Sequence, residues 1–348
     1  TQTEMLGATL LRGALLLALL PAAHPACRHA DVDALYWLYE HTDGASWKLN
    51  TNWAPHLDPC YLVSRWVGVG AIDPCDRWRD GPDCAFGRIT AVYLGNNGLS
   101  GNITGWSGLG ELHNLTMLDL SWNNLTGALP TEIGKINTLT TIDLSNNRLD
   151  GTLPTEIGAI NWATRHARPG DEYMGDYGRI ETHLKLIDLM LVNNRISGQI
   201  PSELARHDFL GSADLRRNAF GAHLPRELGN LSRISSLQLD DNSISGTLPE
   251  NMGDIEYLNH WDTFGNKLEG DLPSSIQKLG SLDYLYIQNE HSDALRNHFC
   301  QQRIEASAIG RKYNWQVLAN EYYNYKHVSA CANPYDVHAA FERLSGDV

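Results

Sequence analysis

Basic residues are scarce in this chain of 348: 27 Lys and Arg stand against 41 Asp and Glu, a formal charge of −14. That balance argues against a nucleic acid as partner, because phosphate-backbone affinity rests on clustered Lys and Arg. Long apolar runs are lacking too. The one strongly apolar stretch, Gly13 to Leu20, falls well short of the roughly 20 residues a spanning helix needs. Catalytic phrases are also missing: there is no H-E-x-x-H, no G-x-S-x-G and no P-loop. Gly68-Val-Gly70 is followed by Asp73 where a third glycine would complete a dinucleotide-binding turn. The 14 histidines are scattered without ligand spacing, and no C-x-x-C pair exists. Neither a metal, nor a cofactor, nor an enzymatic activity is therefore expected.

Cysteine is sparse and unevenly placed. The six lie at Cys27, Cys60, Cys75, Cys84, Cys300 and Cys331, which leaves the long middle of the chain without any. Met5, Arg12, the apolar run and Pro21-Ala-Ala-His-Pro-Ala26 have the form of a secretory signal peptide over 1–26. His24 sits at −3 if the cut precedes Cys27, so an uncleaved anchor is the alternative, and only that or a partner would bring the chain to a membrane. A secreted chain with an even cysteine count implies disulfides. Asn102-Ile-Thr, Asn114-Leu-Thr, Asn124-Leu-Thr and Asn230-Leu-Ser are N-glycosylation sequons, which fit the same extracellular compartment.

What is abundant is one phrase. L-x-x-L-x-L-x-x-N-x-L-x-G-x-[IL]-P recurs around Asn97, Asn123, Asn147, Asn194, Asn218, Asn242 and Asn266, and its clearest copies run Leu115 to Pro130 and Leu139 to Pro154. A fixed period of this kind means a solenoid. Leu118 and Leu120 alternate as in a short strand, so they enter the core while Asp119 faces outward. Each asparagine stands where the chain leaves the strand, and its amide can pair with turn groups otherwise buried without partners. Gly127, Gly151, Gly198, Gly246 and Gly270 mark the next turn, where a Cβ would be in the way.

The Leu-Pro or Ile-Pro with a later Ile-Gly, as in Ile133-Gly and Ile157-Gly, resembles the plant-type leucine-rich repeats of receptor-like kinase ectodomains and polygalacturonase-inhibiting proteins. The resemblance covers roughly residues 30 to 290 and implies an α/β solenoid with a curved parallel sheet on its concave face and disulfide-stapled caps at both ends. Gly44-Ala-Ser-Trp47, Thr51-Asn-Trp53 and Asp58-Pro-Cys60 resemble that family's N-terminal cap. It further implies Cys27 paired with Cys60, Cys75 with Cys84 and Cys300 with Cys331. The organisation expected is a cap over 27–88, about eight repeats over 89–289, and a helical cap over 290–348 rich in aromatics such as Trp315 and Tyr322. Those aromatics read as cap core, or alternatively as a binding surface.

Asn147 and Asn194 stand about two periods apart, and the intervening 161–185 holds Trp162, Arg165, His166 and Arg168. As a repeat it would bury His166 and Arg168, at high cost. An excursion from the solenoid is the better reading, either a loop or an island over the concave face, with a degenerate repeat as alternative.

The outward position of each strand reads Tyr93, Asp119, Asp143, Met190, Asp214, Gln238, Asp262 and Tyr286. The next outward column includes Arg216, Asp240 and Phe264. The acids form either a functional stripe or framework, since aspartate in L-D-L-S is common in the resembled family. Asp240-Asp241 is not read as a catalytic dyad, because neighbours on a strand point to opposite sides. The reading that follows is a secreted, non-enzymatic module that binds a protein, peptide or glycan on its concave sheet. A structural component of an extracellular assembly and a receptor ectodomain are the alternatives.

Overall fold

The computed structural model describes residues 30–51, 53, 67–72, 88–160, 186–271, 273–286 and 298–300. The leader, segment 161–185, the aromatic stretch beyond 300 and Cys27, Cys60, Cys75, Cys84 and Cys331 lie outside these, as does the side chain of Cys300. The expected disulfide pairing therefore falls outside the described residues.

Helix α1 (Ala30–His41) opens the described chain. It buries Val32, Leu35 and Leu38 against the first coil, and Trp106 fastens it there by donating its indole N–H to the Ala34 carbonyl at 2.9 Å. Trp47 and Trp53 are buried beside Tyr39. The cap expected from the Gly44 to Trp53 signature thus contains an aromatic cluster.

The main sheet has nine strands. Strand β1 (Val69–Ile72) runs antiparallel to β2 (Arg88–Tyr93). The rest are parallel in chain order: β3 (Met117–Asp119), β4 (Thr141–Asp143), β5 (Asp188–Met190), β6 (Ser212–Asp214), β7 (Ser236–Gln238), β8 (His260–Asp262) and β9 (Tyr284–Tyr286). Eight parallel strands match the eight expected repeats. Leu118, Ile142, Leu189, Ala213, Leu237 and Trp261 point inward from the strand centres and are buried.

Short strands on the opposite side form narrower parallel sheets, for example Ser100–Asn102, Asn124–Gly127 and Arg148–Leu149. Between the two sides the chain makes one 3-10 turn per coil. Thr131–Lys135, Thr155–Ala159 and Arg226–Asn230 each follow a proline whose fixed φ leads into the turn, and whose carbonyl accepts the first N–H, as from Ile133 to Pro130 at 3.1 Å. Among the described residues these returns are 3-10 turns rather than α-helices.

The asparagines form the expected ladder. Asn123 donates to the carbonyls of Leu94, Leu120 and Ser121, and its Oδ1 accepts from the N–H groups of Asn97 and Leu99. Asn147, Asn194, Asn218, Asn242 and Asn266 repeat the donor pattern one coil further on. Each side chain therefore ties its own turn to the preceding coil, and an alanine there leaves buried groups unpaired at about 1–3 kcal/mol apiece.

Strands β4 and β5 pair directly, Thr141 with Asp188, Ile142 with Leu189 and Asp143 with Met190. Leu149 donates its N–H to Asn194 Oδ1 at 3.0 Å, and the buried His207 ring meets the Ile157 carbonyl at 2.8 Å. No coil stands between them. The described stack therefore continues from β4 directly to β5.

Candidate functional site

Strand register carries Tyr93, Asp119, Asp143, Met190, Asp214, Gln238, Asp262 and Tyr286 partner by partner along one row of the concave face. The side chain of Tyr286 is outside the described residues. Two positions later in each repeat come Gly95, Ser121, Ser145, Val192, Arg216, Asp240 and Phe264.

The two ends of the row differ. Asp119 Oδ1 accepts from the backbone N–H of Ser121 at 2.9 Å and from its hydroxyl at 2.7 Å, and Asp143 Oδ1 accepts from the Ser145 N–H at 2.9 Å. Gly95 leaves the space for this, since a Cβ there would come within 2.9 Å of the Asp119 carboxylate. These two acids close their own strand ends, which is the framework role weighed against a stripe.

Toward the other end, charge accumulates faster than it is matched. Arg216 forks onto Asp214, Nε at 3.0 Å from Oδ1 and Nη2 at 2.8 Å from Oδ2, and that bond holds its proton above the ordinary arginine range. Asp240 lies beside this pair with Oδ1 buried and no hydrogen-bond partner among the described residues. Burial pushes its carboxyl up to about 7, helped by the charge of Asp262 and opposed by Arg216. Asp262 is raised by burial to about 6, although the Phe264 N–H bonded to it at 2.9 Å pulls the other way. Burial and then Arg216 push the His260 imidazole on β8 below its ordinary range, with Asp214 opposing. The patch thus has one guanidinium, already engaged by Asp214, and two carboxyls that share a poorly solvated surface. Asp241 is exposed, and the charge of Asp262 on the next strand raises Asp240 more than that of its own neighbour does.

Two exposed aromatics lie in the N-terminal half. Tyr93 is 52% exposed, and Trp122 is 65% exposed at φ 56°. The residue before each ladder asparagine is left-handed, and asparagine, aspartate or glycine fills that position at 96, 146, 193, 241 and 265. A tryptophan there is strained, and nothing in its sequence surroundings had marked it out. Of the sequons, Asn102 and Asn230 are exposed, whereas Asn114 and Asn124 are half-buried and Asn124 donates to the Ser100 hydroxyl at 3.1 Å.

One further concavity escaped the sequence reading. Arg233, Ser235, Tyr257, Asn259, Ser281 and Asp283 line an open groove of about 610 Å³ where the chain enters β7, β8 and β9. The signal was present: 235, 259 and 283 are one repeat position, and its residues change there from the threonines at 90, 116 and 140 to Ser, Asn and Asp.

The Leucine Rich Repeat family model matches residues 114–136 and 138–160. The crystal structure of PEPR1-AtPEP1 is similar at 25% identity and a TM-score of 0.58 over 78% of this chain. So is that of the Arabidopsis receptor kinase HAESA in complex with the peptide hormone IDA and the co-receptor SERK1, at 22% identity and 0.52 over 78%. This chain is a plant-type leucine-rich repeat protein. It spans only 32% and 42% of the length of those two chains. Among the described residues, this leucine-rich repeat protein contains no helix long and apolar enough to cross a membrane.

Proposed function

We propose that the chain is a secreted, non-enzymatic recognition module whose concave sheet binds a protein or peptide partner presenting a basic side chain. The observation that carries this reading is the patch on β6 to β8. Asp240 and Asp262 sit side by side, partly desolvated, with the nearest guanidinium committed to Asp214. An incoming Arg or Lys would supply the missing counter-charge and donors. Such complementarity serves specificity and association rate more than raw affinity.

An array of synthetic peptides of graded charge, probed with the intact chain and with Asp240→Asn/Asp262→Asn, tests it. Basic peptides should be retained by the parent chain, with retention lost in the double variant and weakened by salt. Equal retention of acidic and basic peptides, or no change in the variant, would reject the reading. A glycan ligand on the same face is less well served, because buried carboxyls with raised proton affinity call for a cation.

A further inference from the structure

We infer that the groove at the entry to β7, β8 and β9 is a carbohydrate site, separate from the acidic patch and independent of the reading above. It would take an oligosaccharide laid across three successive repeats, with one sugar face on Tyr257 and hydroxyls on Asn259, Ser281 and Asp283.

The backbone of the groove floor is already committed. The Gly211 carbonyl accepts from the N–H groups of Ser235 and Ser236, that of Ser235 from Asn259 and His260, and that of Asn259 from Asp283 and Tyr284. An extended peptide that binds by adding main-chain hydrogen bonds therefore has no ladder here to join. Recognition must come from side chains. In the N-terminal coils the equivalent side chains are spent internally: the Thr116 hydroxyl donates to the Thr90 carbonyl at 2.8 Å, and that of Thr140 to Thr116 at 2.9 Å. Ser235 keeps that habit, donating to Gly211 at 3.0 Å. Asn259 and Asp283 depart from it. Both are exposed, and neither makes a side-chain hydrogen bond among the described residues.

The chemistry they offer is mixed. An amide supplies donors and an acceptor, a carboxylate only acceptors, a guanidinium only donors, and a sugar hydroxyl needs one of each. Arg233 is steadied by lying 4.5 Å over the Phe209 ring. Tyr257 is 56% exposed and supplies the flat apolar face against which the C–H side of a pyranose rests. Equivalent residues of adjacent coils lie about 4.8 Å apart, which suits a ligand built of repeated rings. A simple anion fits poorly, because Asp283 faces the same space as Arg233.

The test is calorimetric titration of the intact chain with neutral gluco-, xylo-, galacto- and chito-hexasaccharides. At least one should bind. Tyr257→Ala and Asp283→Ala should each weaken it about tenfold, the equivalent of about 1.4 kcal/mol. Asp240→Asn should leave it unchanged, which separates this site from the concave patch. Tyr257 and Asp283 are exposed, and a melting curve superimposable on the parent's verifies that those two variants fold. Absence of binding by every hexasaccharide, or binding that survives both groove variants, overturns the assignment. So does the finding that Tyr257→Ala and Asp283→Ala abolish capture of peptides instead, which would give the groove to a protein ligand.

Discussion

Asn193 donates its side-chain amide to the side-chain oxygen of Asn146 at 2.9 Å, although the two are 47 residues apart in the chain. Asn124 and Ser100, joined the same way across one coil, are separated by 24. Removing 163–185 would bring Asn146 and Asn193 to that same spacing, and would leave Asn161 and Trp162 to fill the two places between Ile160 and Leu186 that Asn137 and Thr138 fill one coil earlier. The shortened chain should unfold in one cooperative transition with a midpoint near the parent's. A broadened or two-step denaturant curve would mean that the removed residues support the stack.

Two of the departures from the turn rules, Ala222 and Trp122, should be correctable. Ala222 adopts φ 59° at the position where Gly246 has φ 76° in the next coil, and Trp122 adopts φ 56° where Asn146 has φ 57°. A left-handed residue with a Cβ costs on the order of 1 kcal/mol, and asparagine less than tryptophan. Ala222→Gly and Trp122→Asn should each raise the urea midpoint, by about 0.5–1 kcal/mol in stability. If Trp122→Asn stabilises the fold yet weakens capture of the basic peptides, the strained ring is kept for binding. A lowered midpoint in either variant would refute the strain argument.

The repeats announced themselves because their physics is local and periodic. Leu118, Leu120 and Asn123 specify strand, core and turn within a handful of residues, so the sheet register and the row from Tyr93 to Asp262 were readable in advance. The unequal state of that row was not. Asp119 and Asp262 occupy the same repeat position and both accept the N–H two residues on, but only the structure reveals that Asp262 also shares buried surface with Asp240. That distinction depends on Arg216, two residues beyond Asp214, and on how much water three adjacent coils exclude. The groove went unread for a related reason: Asn259 and Asp283 look like ordinary surface residues until their neighbours one coil away are placed beside them.

The same patch makes stability depend on pH. Asp240 and Asp262 titrate near 7 and 6 in the folded chain against an ordinary value of 3.8, so the folded state holds protons that the unfolded state has released. Their contribution is complete below about pH 4 and is lost as pH rises through 6 and 7. Melting temperature should therefore fall between pH 5 and pH 8, and Asp240→Asn should flatten that slope. A basic ligand at the patch should also expel protons near pH 6.5, which titration in buffers of different ionisation enthalpy would detect. A slope unchanged in the variant would remove Asp240 as its source.

The reversal of β1 against β2 bears on how copies of this molecule can meet. A parallel stack with a bare leading strand is a template for further strands, and two such molecules could join head to tail into a filament. Here the leading strand runs the other way, is four residues long and carries an irregularity between Gly70 and Ala71. A neighbour's strand that kept the polarity of the array would meet β1 antiparallel, so a head-to-tail join at that end does not continue the parallel ladder.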